Sequence, residues 1–476
     1  MRNFLILFTL VFVLTVSSFA QSRRVNPNAR VPANPSTGEI KNLTVEQMFT
    51  EANTFAKIKF AEYEQKKIPY TENLFKQTVL EQKQLAAKYA TVVSARQNLA
   101  DADFYYLGML NWLAENSPNA RDAFQKFLTT ENPAVEKLQT ARSVVAVVSA
   151  RQKNFDEAEK LLAEYLKTEP AKLSERAKME IELAKNYREN KNLERAAPHA
   201  EEAFNAAKTV FKDTSSRARG LNDLLDAGKT LFEIYKESGK QKEAEAALED
   251  LRKTAALVES TALYYVAVDE NIKYLIETNR KPLALQMYSE TLARANKDFT
   301  AKPLQEDILR RLKKRDKHYK LLGDVAPELT SVDRWFPGEA KTIAGLRGRV
   351  VFLDFWATWC APCLDAFPSL IEWHQTFQKD GLEILGVTKY HGVAEGFRVD
   401  NTAELDFLTR FKKAQRLPYD FVVAKDSGNQ YTYGATAIPT AVLIDRKGVI
   451  RYIETGSGAS GLEEIREMIV KLLAEK

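Results

Sequence analysis

The sequence predicts two domains of different class, an all-α domain followed by a mixed α/β domain. Three observations carry this. From about Leu43 to about Lys320 the chain is rich in Ala, Leu, Glu and Lys, poor in glycine, and patterned at helical spacing. From Leu322 short apolar runs alternate with helical stretches, the layout of a mixed sheet. The length of 476 residues exceeds what one ordinary core organises. The hydrophobic fraction of 45% and charged fraction of 28% suit a globular protein rather than a disordered or membrane-embedded one.

The first twenty residues have the layout of a secretory signal peptide. Arg2 supplies the positive start, Phe4 to Val16 the apolar stretch, and Ser18-Phe19-Ala20 a small-x-small cleavage site. Export is therefore expected, to the periplasm or the extracytoplasmic face of a bacterial cell. An uncleaved anchor is the alternative, although the apolar run is short for a spanning helix. No cysteine follows the run, which speaks against a lipid anchor. Residues 21–42 contain several prolines and many polar side chains and read as a flexible tether.

Within residues 43–320 the helical pattern breaks at short polar turns: Glu115-Asn116-Ser117-Pro118, Gln152-Lys153-Asn154, Glu189-Asn190-Lys191-Asn192, Ser238-Gly239-Lys240 and Thr278-Asn279-Arg280. Each turn is followed by an alanine early in the next helix, at Ala123, Ala158, Ala196, Ala244 and Ala284, with spacings of 35, 38, 48 and 40 residues. A small side chain there allows two antiparallel helices to approach closely. Prolines close units at Pro133 and Pro170. This resembles tetratricopeptide repeats, whose period is about 34 residues. The irregular spacing also admits an irregular bundle, and both are all-α. The basic run from Arg310 to Lys320 reads as a solvated helix end, with anionic lipid or an acidic partner as the alternative. From Leu321 onward Lys and Arg number 18 against 21 Asp and Glu. No nucleic-acid-binding stripe is expected on that domain.

In the second region, residues 322–476, Val350 to Trp356 is a nearly continuous apolar run, as in a strand buried on both faces. Leu364, Phe367, Leu370, Ile371 and Phe377 follow at helical spacing. Leu382 to Val387 reads as a strand and Thr402 to Gln415 as a helix. Ala441 to Asp445 and Val449 to Glu454 form a strand pair turned at Arg446-Lys447-Gly448, and a final amphipathic helix carries Leu462, Ile465, Ile469, Leu472 and Leu473.

The chain has two cysteines, three residues apart, at Trp359-Cys360-Ala361-Pro362-Cys363, where the buried strand gives way to a helix. A disulfide scaffold would use several cysteines at longer spacings. A helix start supplies unpaired N–H groups and the positive end of the dipole, which stabilise a thiolate. Proline just inside the helix fixes the turn. Cys360 reads as the exposed nucleophile, and Cys363, one turn on, as the resolving thiol of a redox-active Cys360–Cys363 disulfide. A zinc site would need two further ligands, and His199, His318, His374 and His391 show no ligand spacing. Trp356 and Phe355 read as core. Trp359 reads as partly exposed, able to contact substrate.

The segment from Asp354 to Cys363 closely resembles the active-site pattern of the thioredoxin superfamily. The resemblance implies that Asp354 is a buried acid with a raised pKa that exchanges a proton with Cys363, and that Ala361 and Pro362 support the site. It implies that Pro368 kinks the active-site helix. Ile438-Pro439-Thr440 is similar to the loop whose cis-proline packs against the disulfide and whose preceding backbone pairs with substrate. Gly323 to Leu329 and Leu346 to Trp356 look like the exported TlpA-like branch, which adds an N-terminal strand pair and a central insertion. The 79 residues from Cys360 to Pro439 leave room for the latter. Ala366-Phe367-Pro368 departs from that branch, which often carries an acid near this proline. Peroxiredoxins share the fold, but their Thr or Ser three residues before the cysteine and Pro seven before it are here Ala357 and Leu353.

The expectation is a thiol–disulfide oxidoreductase, without a cofactor, that reduces exported disulfide-containing proteins. It would be recharged by a membrane thiol reductant, and its helical domain would bind a protein partner. An oxidase or isomerase role, or a helical adaptor with an accessory redox domain, stays open.

Overall fold

A computed structural model describes residues 43–131, 133–212, 217–336, 338–456 and 458–475. The export signal and tether expected for residues 1–42 lie outside the described residues. By packing, the chain divides into two compact units, with the division at Ala247/Leu248. Among the described residues no helix is long and apolar enough to cross a membrane.

The first unit is helical: α1 (Val45–Gln65), α2 (Glu72–Ser94), α3 (Asp101–Leu113), α4 (Ser117–Leu128), α5 (Val135–Arg151), α6 (Phe155–Leu166), α7 (Leu173–Glu189), α8 (Leu193–Lys212) and α9 (Arg217–Glu237). Thr44 opens α1 with a reciprocal capping box to Gln47, and Asn116 caps α4 ahead of Pro118. Each helix packs on the next, and α1, α3, α5, α7 and α9 also pack on one another in succession. Helix pairs thus stack into an array, which lets units that cannot bury an apolar face singly share one core. The alanines that mark the pattern are where close approach requires them: Ala123 is 5% exposed and Ala158 and Ala196 are fully buried.

The turns share one backbone device. Glu115, Lys153 and Lys191 take φ values of 60°, 60° and 59°, as does Asn279 at 59° in the second unit, while Gly239 takes 70°. In each, the following N–H reaches a carbonyl five residues back, as from Asn154 to Ser149 and from Asn192 to Tyr187. This closes the helix end in a Schellman-type turn. A left-handed conformation costs an L-residue roughly 1–2 kcal/mol, part of which glycine gives back through its freer unfolded chain. Lys153→Gly and Lys191→Gly are each expected to stabilise the helical unit by ~0.5–1 kcal/mol, and Gly239→Ala to destabilise it. Urea unfolding followed by circular dichroism checks this, and an unchanged or lower midpoint for both lysine variants would contradict it.

Helix α10 (Gln241–Leu257) spans the division. The second unit continues with α11 (Thr261–Glu277), α12 (Lys281–Asp298), α13 (Lys302–Lys314) and α14 (Asp316–Leu321). Then come β1 (Val332–Phe336), β2 (Val350–Phe355), α15 (Ala361–Phe377), β3 (Leu382–Lys389), β4 (Val393–Ala394), β5 (Phe397–Arg398) and α16 (Asn401–Ala414). It closes with β6 (Asp420–Ala424), α17 (Gly428–Tyr433), β7 (Thr440–Ile444), β8 (Ile450–Thr455) and α18 (Ala459–Ala474). The packing division therefore precedes the change of sequence pattern, and α11 to α14 share a compact unit with the sheet.

The six-stranded sheet runs β1-β6-β3-β2-β7-β8. β2, β3 and β6 are parallel, and β1, β7 and β8 run antiparallel to their neighbours. Every residue of β2 is buried, as its continuous apolar run predicts. Phe352, Trp356, Ile384, Phe421 and Leu443 form one face of the core with Phe367, Leu370 and Trp373 of α15, Leu408 of α16, and Ile465 and Ile469 of α18. In place of an N-terminal strand pair the sheet takes a single edge strand, β1, with an isolated bridge from Val325 to Val449. The central insertion holds the small β4–β5 hairpin and α16.

The basic run before Leu321 departs from the solvated helix end expected of it. Arg310 stays exposed, but Arg315 and His318 are 6% and 3% exposed and Tyr319 is fully buried. Asp269 on α11 supplies the countercharge that lets Arg315 enter the interior.

Candidate active site

β2 ends at Phe355, and the chain turns through Trp356 to Trp359 into α15. Cys360 is the N-cap of α15, with φ −87° and ψ 95°, and its Sγ accepts the Cys363 N–H at 3.3 Å. Ala361 and Pro362 occupy the first turn, where a missing N–H costs nothing. The two sulfurs form a disulfide with a Cα–Cα separation of 5.2 Å. Pro368 sits inside α15.

Cys360 is 4% and Cys363 1% exposed. Both cysteines are buried in the disulfide form, so the openly exposed Cys360 expected from the sequence is corrected. In the disulfide form the N-cap residue joins the core formed by Trp356, Phe367 and Ala357. Trp359 is instead the exposed group, at 60%.

Asp354 lies at the centre of the sheet, opposite Gly386 on β3 and Ala441 on β7. It is 4% exposed, and burial alone pushes its carboxyl up to about 7. The neighbour across from it has no side chain for a reason: a Cβ on Gly386 would lie 2.7 Å from Trp356 Nε1 and 2.8 Å from Phe421 Cβ. A carboxyl that changes protonation near neutrality, on the strand leading into a dithiol, can take or return a proton there.

The Ile438–Pro439 bond is cis. Thr440 pairs with Phe355, so one register step further Pro439 stands level with Trp356, at the exit of β2. Thr440 Oγ1 donates to Ala437 O at 2.7 Å, and Gly456 N donates to Pro439 O at 2.9 Å. Ile438 is half-buried and Thr436 and Ala437 are exposed.

Three contributors are not evident from sequence spacing. His391 packs edge-on against Trp359, with ring centroids 5.3 Å apart. Glu404, 3% exposed on α16, accepts the N–H groups of His391 (2.9 Å) and Gly392 (2.8 Å), tying the segment that leads into β4 to α16. Tyr419 is buried just before β6. Its hydroxyl has no hydrogen-bond partner among the described residues, and the Asp354 charge adds to burial in raising its pKa. The only hint in the sequence was the apolar Phe421-Val422-Val423 run that makes β6 a central strand. His374 is half-buried on α15, as expected for a helix residue.

The AhpC/TSA family profile matches residues 322–453. The chain is similar to the thiol-disulfide oxidoreductase ResA of Geobacillus thermodenitrificans, 33% identical over 138 residues, covering 29% of this chain and 70% of that protein. It is also similar to ResA of Geobacillus kaustophilus, 32% identical with the same coverage. Among solved structures, a thiol-disulfide isomerase from Corynebacterium glutamicum matches at 23% identity, with a TM-score of 0.26, over 32% of this chain and 98% of that chain.

Proposed function

The chain belongs to the thioredoxin-fold thiol–disulfide oxidoreductases that include ResA, and from that premise we propose that it reduces disulfides of exported proteins through Cys360 and Cys363. The observation that carries the reading is the Cys360–Cys363 disulfide at the start of α15, on the chain leaving the strand that buries Asp354.

In the reduced enzyme the Cys360 thiolate attacks one sulfur of a substrate disulfide. A mixed disulfide forms and the other substrate sulfur leaves as a thiolate. Asp354 takes the proton of Cys363, whose sulfur attacks Cys360 Sγ. The internal disulfide forms and the second substrate sulfur leaves. The pair of electrons passes to the substrate, and an external dithiol, supplied by a membrane thiol reductant, must return it. Trp359 and the backbone at Ile438 and Pro439 hold the substrate chain, while Ala361, Pro362 and Pro368 shape the helix that carries the thiols. The helical region, residues 43–320, engages the protein partner, because a dithiol alone reacts with many disulfides and an array of helix pairs offers a long surface. The apolar N-terminal segment with its small-x-small site supports an extracytoplasmic location.

The test is the reduction potential of the Cys360–Cys363 couple against glutathione, together with insulin reduction. A reductant is expected to poise near about −270 mV, and a value near about −120 mV would make the protein an oxidant instead. Absence of both exchange and insulin reduction would leave an adaptor.

A further inference from the structure

Arg315, at the junction of α13 and α14, and His318 on α14 enter the interior of the second unit, outside the region that matches the family profile. Arg315 donates Nε to Asp269 Oδ1 (3.2 Å) and both terminal nitrogens to the carbonyl of Ile453 on β8 (3.2 Å each). Asp269 also takes the Tyr319 hydroxyl (2.6 Å) and pairs with Lys273 (2.8 Å). This leaves His318 one tautomer. Its Nδ1 lies 3.0 Å from Arg315 Nη1, a group that can only donate. The proton therefore sits on Nε2, which donates to the carbonyl of Gly434 at 2.9 Å. Burial and the neighbouring Arg315 hold the imidazole neutral, down to about 4.

Gly434 ends α17 in the left-handed region, at φ +69°, and a Cβ there would lie 2.8 Å from His318 Cδ2. It opens the segment Gly434 to Pro439, whose far end is tied by Thr440 and Gly456. Without His318 and Arg315 the near end would lose its buried anchor.

We propose that His318 is a positioning residue for disulfide exchange: by holding the Gly434 carbonyl it sets the Gly434–Pro439 loop for the backbone of a protein substrate. This rests on the reading of that loop as the substrate rest. A small disulfide such as oxidised glutathione has little backbone to dock, so the loss should fall on protein substrates. Arg315 and Asp269 act one step back, by holding His318.

The experiment uses the full chain and compares KM and kcat for insulin with the rate on oxidised glutathione. His318→Leu is expected to raise KM for insulin about tenfold, a loss of about 1.4 kcal/mol in binding, while kcat and the glutathione rate stay within about twofold. His318→Gln, whose amide can donate to the same carbonyl, should restore KM. Parent-like insulin kinetics in His318→Leu, equal losses on both substrates, or no rescue by Gln would each overturn the proposal. If His318→Leu does not accumulate as folded protein, Gly434→Ala perturbs the contact from the loop side and the same split decides. Ile438→Pro, which removes the backbone N–H at the centre of that loop, separates the two readings. If it leaves insulin KM unchanged, the loop is not the substrate rest. If it raises KM and His318→Leu does not, the positioning role is wrong.

Discussion

Cys360→Ser should reduce dithiol exchange by on the order of 10⁴-fold or more, the scale of loss when an enzyme's nucleophile is removed. Cys363→Ser should give a different phenotype: attack persists, resolution fails, and mixed disulfides with substrate accumulate. The asymmetry follows from the helix start. Cys360, at the N-cap, accepts the Cys363 N–H at 3.3 Å and lies at the positive end of the α15 dipole. Cys363 is 1% exposed and lies within the core cluster of this domain. Limiting iodoacetamide on the reduced protein, read by mass spectrometry, should label Cys360 first. Preferential labelling of Cys363 would reverse the assignment.

Asp354→Asn should produce a more stable but slower enzyme. Burial raises the carboxyl from 3.8 to about 7. Between those values the folded protein keeps a proton that the unfolded chain has released, so stability falls as pH rises through the window, and the penalty is complete above it. About three pH units, at about 1.36 kcal/mol each, give roughly 4 kcal/mol as an upper figure. The asparagine variant should therefore exceed the parent in stability by up to roughly 4 kcal/mol above pH 7, with the difference vanishing near pH 3. Denaturant titrations across pH measure this directly. An amide cannot accept the Cys363 proton, so turnover at neutral pH should fall about 10²-fold, and the inflection near about 7 should leave the pH–rate profile. A gain in stability with an unchanged pH–rate profile would make Asp354 a buried charge with no catalytic part.

Much of this was legible along the chain because it depends on neighbours in sequence. The apolar run from Val350 followed by a cysteine, a proline and a second cysteine defines a strand, a helix N-terminus and a dithiol, since each is a local backbone property. The alanines after polar turns marked the helix-pair contacts for the same reason, and Ala158, Ala196, Ala244 and Ala284 are fully buried where two helices meet. What pattern alone did not decide is which side chains become interior when distant segments meet. Arg315 and His318 sit in a run that reads as solvated, yet Asp269, 46 residues earlier, and the Ile453 carbonyl, 138 residues later, satisfy Arg315 inside the fold. Desolvating a guanidinium is tolerable only with such partners, and partners at that separation leave no periodic trace. Tyr419 beside Asp354, Glu404 beneath the His391 backbone and the small Gly386 under Trp356 are likewise products of strand register and helix packing. The sequence by itself determined the two domain classes and the cysteine pair that the fold joins in a disulfide. The tertiary structure decided how deeply that pair is buried and which distant groups surround it, because burial and countercharge are set by contacts across the fold rather than along the chain.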